Sequence, residues 1–193
     1  MKNTAIVFAR LPRLGTVKRR LARELGDRAA LRFHTGTLLR LLRSLCADRT
    51  FRTVLAITPD RGRLRLPRQI PRISQGFGDI GARMERALRR FPRGNALIVG
   101  CDIPAANAAD VRSAFQALGR ADAVFGPAED GGYWLVGFGP RRAAQPFANT
   151  RWSSQHALAD TLTNFPGRRI ARIRTLRDVD TAADYAAEKA LRT

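Results

Sequence analysis

Apolar residues fall along this chain in two alternating rhythms: short unbroken runs, and longer segments where they recur every three or four positions. Thr4–Ala9 (TAIVFA), Thr53–Thr58 (TVLAIT) and Ala96–Cys101 (ALIVGC) belong to the first kind, and Ala121–Phe125, though broken by Asp122, is read as a strand as well. They predict strands: Thr4–Ala9 one buried on both faces, as in a parallel sheet, and Ala96–Cys101 the clearest buried strand of the chain. Tyr133–Phe138 predicts a further strand, and its short connection from Phe125 favours an antiparallel placement. Ile70–Ser74 and Ile170–Ile173 are shorter strand candidates. Helical spacing covers Val17–Leu25, with Thr16 able to cap and Gly26 to stop it. It returns from Asp27 to Cys46, where Ala30, Phe33, Thr37, Leu38, Leu41 and Leu45 share a face, and then in Ala82–Phe91 and Ala108–Leu118. Two last helices run to Thr163 from a cap at Ser153 or Ser154, and to Leu191 from a cap at Asp180 or Thr181. Strands alternating with helices predict an α/β fold: a three-layer α/β/α sandwich with a mainly parallel mixed sheet.

The chain has 193 residues, a length that fits one domain with its own core. Composition changes the picture in one respect. Lysine and arginine number 35 against 16 acids, a net charge of +19, and only Lys2, Lys18 and Lys189 are lysines. Such a surplus suits nucleic acid, an anionic membrane face or phosphorylated small molecules. The arginines are scattered, form no basic tail and accompany no nucleic-acid motif, which makes nucleic acid the lesser reading. Two cysteines, Cys46 and Cys101, provide neither a disulfide framework nor metal-ligand spacing, and the N-terminal apolar run is too short for a signal peptide. No run reaches the length of a membrane span. A reduced, cytoplasmic protein is the expectation, with Cys46 and Cys101 as packing residues and His34 as a surface or packing residue rather than a ligand.

Candidate chemistry gathers at the ends of the predicted strands. After the first comes RLPRLGTVKRRLA, a glycine-containing basic loop leading into a helix, where Arg10, Arg13, Lys18 and Arg19 could meet an anion. It is not a Walker loop, since G-x-x-x-x-G-K-[ST] is absent. Gly76, Gly78 and Gly81 are spaced G-x-G-x-x-G, but mid-chain and without the strand and acid a dinucleotide site needs. The buried strand ALIVGC ends at Asp102-Ile103-Pro104; Asn107 is the better cap for the next helix, which leaves Asp102 free at the edge where open α/β sheets bind ligands. Glu129 and Asp130 precede Gly131-Gly132, whose backbone freedom lets a loop hold carboxylates close to a ligand, unless they are simply solvated turn residues. Asp178 and Asp180 alternate, so an extended backbone puts them on one face. Trp152 could be a core anchor or a pocket wall.

The segments FARLPRLGTVKRRLA, QGFGDIGARM, VGCDIP, GPAEDGGYWLVGF, RWSS and DVDTAAD, in this order, resemble a bacterial family of candidate glycosyltransferases formerly labelled a domain of unknown function. The resemblance runs from about Thr4 to Tyr185 and implies the GT-A fold of nucleotide-diphospho-sugar transferases. It implies a nucleotide site at Arg10, Gly15, Lys18, Arg19, Gly78 and Asp79. It also implies a Mg²⁺ or Mn²⁺ site at Asp102, Asp130 and Asp180, with Asp130 and Glu129 as catalytic acids. Two departures stand out. A Lys-Thr-Arg-Leu run becomes Lys18-Arg19-Arg20-Leu21, and Gly-Asp-Leu-Gly-Glu-Arg-Met becomes Gly78-Asp79-Ile80-Gly81-Ala82-Arg83-Met84, which removes a hydroxyl and a carboxylate. Hard divalent ions take oxygen ligands, and the sequence shows no His/Cys cluster that would attract a softer metal. The leading expectation is a metal-dependent glycosyltransferase using a nucleotide-sugar donor on an unidentified small-molecule acceptor. The alternatives are a nucleotidyltransferase joining an NTP to a phosphorylated acceptor, or a basic nucleotide- or nucleic-acid-binding module with impaired catalysis.

Overall fold

A computed structural model describes residues 3–62, 64, 66 and 70–190. The predicted end of the last helix at Leu191, and Arg63, Arg65 and Arg68 of the basic loop, lie outside the described residues. Seven strands form one sheet: β1 Thr4–Arg10, β2 Arg52–Thr58, β3 Arg72–Ser74, β4 Ala96–Gly100, β5 Ala123–Pro127, β6 Tyr133–Phe138 and β7 Ile170–Arg172. Their order is β3-β2-β1-β4-β6-β5-β7, and all neighbours are parallel except where β6 runs against β4 and β5. The predicted α/β class, mainly parallel sheet and antiparallel β6 are therefore present.

Alternation along the buried strands builds two cores, one on each face. Ala5, Val7 and Ala9 of β1 pack on one side with Leu38, Leu41 and Leu45 of α2 (Asp27–Ala47) and with Val111 and Ala114 of α4 (Ala108–Ala117). Ile6 and Phe8 point to the other side, against Met84, Ala87 and Leu88 of α3 (Ile80–Arg89) and the rings of Phe125, Phe138 and Phe165. Fully buried strands with helices on both faces need continuous apolar runs, which is why the strand signals read as unbroken.

Capping residues fix several helix starts. Asn107 caps α4 in a capping box with Asp110. Asp79 caps α3, its Oδ1 accepting from Ala82 N–H at 2.8 Å, so this helix begins at Ile80 rather than Ala82. At α6 (Ala182–Ala190) Thr181 Oγ1 accepts from Asp184 N–H, while Asp184 accepts from the N–H groups of Asp180 and Thr181. Two expected starts are corrected. The first helix, α1 (Arg19–Leu25), begins after Lys18, which takes a left-handed conformation, and the Thr16 hydroxyl donates to Arg13 O instead of capping. The fifth, α5 (Ala157–Leu162), lacks a serine cap: Ser154 closes a turn with Arg151 and His156, and Leu158 N–H donates to Gly131 O. Among the described residues no helix is long and apolar enough to cross a membrane.

Candidate active site

The carboxyl ends of β1 and β4 open into two clefts of about 260 and 250 Å³ that share a wall made by Met84, Gly100, Asp102, Tyr133 and Trp134. The first also touches Arg10, Gln75, Arg83 and Cys101; the second touches Asp130, Trp152 and Asp178. One compartment is lined with basic and amide groups, the other with acids, and Asp102 stands between them. Open α/β sheets expose ligand-binding loops at this edge, beyond the last hydrogen bonds of the strands.

Gln75 is buried, and its side chain is fully engaged. Its amide donates to Ala9 O and Ala56 O at 3.1 and 2.8 Å, and its carbonyl accepts from Arg83 at 3.2 Å. Arg83 is thereby aimed along the basic compartment. Gly15 takes a positive φ in the loop after β1, and Arg10 and Arg19 each donate to loop carbonyls at 3.4 Å, so both guanidinium groups brace the loop. The Asp79 carboxylate is committed to capping α3, with Gly78 at positive φ just before it.

Lys18 points inward. Only 5% of its side chain is exposed, and its Nζ lies 2.9 Å from Asp180 Oδ1 and 3.7 Å from Asp102 Oδ2. Burial pulls the amine down, but Asp102 and Asp180, with Asp178 beyond them, more than offset this and hold its pKa above the ordinary value. Arg20 adds a second contact to Asp180 at 3.5 Å. Burial acts to raise the pKa of Asp102, yet the neighbouring His34 imidazole, the Lys18 ammonium and the Cys101 thiol bring it down to about 2, so it is ionised. Asp178 is pushed the other way: burial and the carboxylates of Asp180 and Asp130 raise it, with Lys18 only partly compensating. Burial also pushes the Cys101 thiol well up, with Asp102 adding to the effect.

The acid loop after β5 is fixed by its backbone. Gly131 has φ +85°, and a Cβ there would fall 2.1 Å from the Gln155 carbonyl oxygen. Asp130 Oδ1 accepts from Gly132 N–H at 2.9 Å, which sets the carboxylate at the mouth of the acidic cleft. Glu129 is more than half exposed and pairs with Arg177 at 3.5 Å. Trp152 serves both roles open to it, resting on the Tyr133 and Phe147 rings while lining the cleft.

The structure thus brings Asp102, Lys18 and Asp180 together, puts Asp130 on the same rim, and adds Asp178, which the sequence signalled only through its alternation with Asp180. It does not gather Asp102, Asp130 and Asp180 around one point. Among the described residues the trio whose donor atoms lie within 4.8 Å of one another is His34, Cys101 and Asp102. His34 is therefore neither a surface residue nor remote from the site: it is 3% exposed, and its Nδ1 is 3.5 Å from Asp102 Oδ1. The expectation that no His/Cys cluster is present is corrected accordingly. A histidine one turn from apolar helix positions looks like packing, and only the fold places it beside Asp102, 68 positions downstream and just past the end of β4.

Comparison with solved structures agrees on the architecture. A candidate nucleotide-diphospho-sugar transferase from Desulfovibrio desulfuricans G20 superposes with a TM-score of 0.88 at 26% identity, over 97% of this chain and 87% of that one. A 4-diphosphocytidyl-2C-methyl-D-erythritol synthase from Anaerococcus prevotii gives 0.63 at 12% identity, over 100% and 99% of the two chains. The manganese complex of Rv0371c from Mycobacterium tuberculosis H37Rv gives 0.59 at 18%, over 97% of each chain. No curated protein matches the sequence. The fold is that of the GT-A, nucleotide-diphospho-sugar transferase superfamily. Residues 41–154 match the family model described as "Uncharacterized protein conserved in bacteria (DUF2064)", and the chain belongs to that family.

Proposed function

We propose that the chain is a divalent-cation-dependent transferase that acts as a single domain on a nucleotide-sugar donor. The observation that carries this reading is the position of Asp102, an ionised carboxylate on the wall between a basic and an acidic cleft. The names of the Desulfovibrio and Anaerococcus relatives and the manganese bound to the Mycobacterium protein support the substrate class and the cation. The carboxylates are oxygen donors of the kind a hard cation takes, though they do not yet converge on one point. Asp102, Asp130 and Asp178 line the acidic cleft and Asp180 stands beside Asp102 across the Lys18 ammonium, while burial and then the Asp180 and Asp130 carboxylates raise the pKa of Asp178. Asp102 and Asp180 would hold Mg²⁺ or Mn²⁺, with Asp130 on the facing loop. The ion would neutralise charge developing on the diphosphate leaving group.

The chain's own groups supply the rest. Arg83 and Arg10 receive the nucleotide in the basic cleft, and Lys18 stands beside Asp102 and Asp180 as a fixed positive charge for the phosphates. Asp130 orients the acceptor hydroxyl, and Asp178, with its raised pKa, is the better base to take the proton. Glu129, already paired with Arg177, holds the loop in place.

The test incubates the protein with nucleotide sugars and, separately, with NTPs and phosphorylated acceptors, in Mg²⁺ or Mn²⁺. Release of nucleoside diphosphate, lost in Asp102→Asn, is the expected result. Release of pyrophosphate would select nucleotidyl transfer instead. No product, and no cation-dependent rise in melting temperature with any nucleotide, would leave only a binding module.

A further inference from the structure

The transferase reading makes no use of His34. This side chain projects from α2 beneath the loop that leaves β1, and 4% of it is exposed. Its Nε2 lies 3.0 Å from Arg10 O. A carbonyl oxygen can only accept, so Nε2 carries a proton and Nδ1 is the ring nitrogen left to face Asp102. That buried nitrogen has no hydrogen-bond partner. It faces an ionised carboxylate oxygen, Asp102 Oδ1, at 3.5 Å. A buried ring nitrogen without a hydrogen-bond partner, set against a half-exposed carboxylate oxygen, leaves between them a place that a cation would satisfy.

A third donor converges on the same corner. Cys101 Sγ is 3.7 Å from Asp102 Oδ1, and the nitrogen, sulfur and oxygen all lie within 4.8 Å of one another. Bond lengths of about 2.0–2.3 Å to a tetrahedral ion imply ligand–ligand edges of roughly 3.3–3.7 Å. The two measured edges at Oδ1 fall in that range. We propose that His34 Nδ1, Cys101 Sγ and Asp102 Oδ1 form a binding site for a zinc-type divalent ion that shares only Asp102 with the all-oxygen site on the rim. Nitrogen and sulfur ligands select a borderline or soft ion over Mg²⁺.

The surroundings are consistent with such an ion. Coordination replaces the thiol proton, which is released to solvent, so the site carries one thiolate, one carboxylate and a neutral imidazole around a charge of +2. Lys18 sits on the other Asp102 oxygen, Oδ2, and leaves Oδ1 clear; its own charge is matched by Asp180. Cys101 and Asp102 both line the basic cleft, so the fourth position opens toward it. Three protein ligands with an open fourth place describe a site that can take a water or an oxygen of a bound ligand.

Cobalt titration of the full-length protein tests the proposal, because tetrahedral Co²⁺ bound to a thiolate gives intense visible bands and a sulfur-to-metal charge-transfer band. One equivalent should produce both, and Zn²⁺ should bleach them. Cys101→Ser should abolish the charge-transfer band, Cys46→Ser should keep it, and His34→Gln should weaken binding by about tenfold or more. The band should persist in Asp130→Asn and Asp180→Asn, which separates this site from the rim. X-ray absorption of the zinc-loaded wild type requires no variant to fold, and should show one sulfur near 2.3 Å with lighter ligands near 2.0 Å, as zinc sites do. Two results would overturn the proposal: a spectrum without a sulfur ligand, or nitrogen NMR showing a proton on His34 Nδ1 with no response to Zn²⁺.

Discussion

Lys18 has its charged end between Asp102 and Asp180, the latter 162 positions away in the chain, and takes a left-handed backbone. For a side chain other than glycine that conformation costs about 1–2 kcal/mol, which the ion pairs must offset. Its raised pKa fixes the sign of a pH effect. The stability it contributes is complete below the unfolded value near 10.4 and is lost as pH rises through the higher folded value. Wild type should therefore lose stability at alkaline pH that Lys18→Met, already less stable at neutral pH, no longer has to lose. Denaturant midpoints of both proteins from about pH 8 to about pH 11 measure the difference. Asp178 behaves oppositely to an ordinary paired carboxylate: its raised pKa favours folding when it is protonated and opposes it once pH passes that value. Asp178→Asn should raise the melting temperature at neutral pH, the gain vanishing below about pH 4, while slowing transfer. A variant that melts lower at neutral pH would contradict this reading of the acidic rim.

The short elements around the clefts depend on close backbone contact more than on side-chain pairing. The loop between β5 and β6 meets the start of α5 through Gly131, whose carbonyl accepts from Leu158 N–H and whose α-carbon leaves no room for a methyl against Gln155. Gly131→Ala combines positive φ with a backbone collision, and should destabilise by about 1–3 kcal/mol by chemical denaturation. It should also weaken acceptor binding by displacing Asp130. Such contacts explain which boundaries were legible. Asn107 and Thr181 cap as their sequence positions suggest, because a cap bonds to the next turn of its own helix. Thr16 does not, because the start of α1 is decided by where Lys18 must go. Ser154 does not, because the amide at the start of α5 is met by a carbonyl from another loop.

For the whole molecule, +19 is spread through the chain and is compatible with a solvated coat of arginine. Duplex DNA affinity should accordingly fall steeply between about 50 and 200 mM salt and be unchanged in Asp102→Asn, whereas donor binding should be lost in that variant. Fluorescence anisotropy with labelled DNA and calorimetry with nucleotide sugars give the two readouts. DNA binding that depended on Asp102 would mean that the cleft, not the coat, recognises the polymer.

What the sequence determined by itself was the architecture: unbroken apolar runs dictate strands buried on both sides, and the periodic segments between them dictate two helical layers. It also determined that Asp102 stands at a strand end, since ALIVGC can only be a central strand and the cap role falls to Asn107. Tertiary structure alone decided the company that carboxylate keeps. Local periodicity records which face of an element is apolar, but not which distant element covers its end. For that reason the inward turn of Lys18, the use of Asp79 as a cap, the entry of Asp178 and the approach of His34 and Cys101 to Asp102 became visible only in three dimensions.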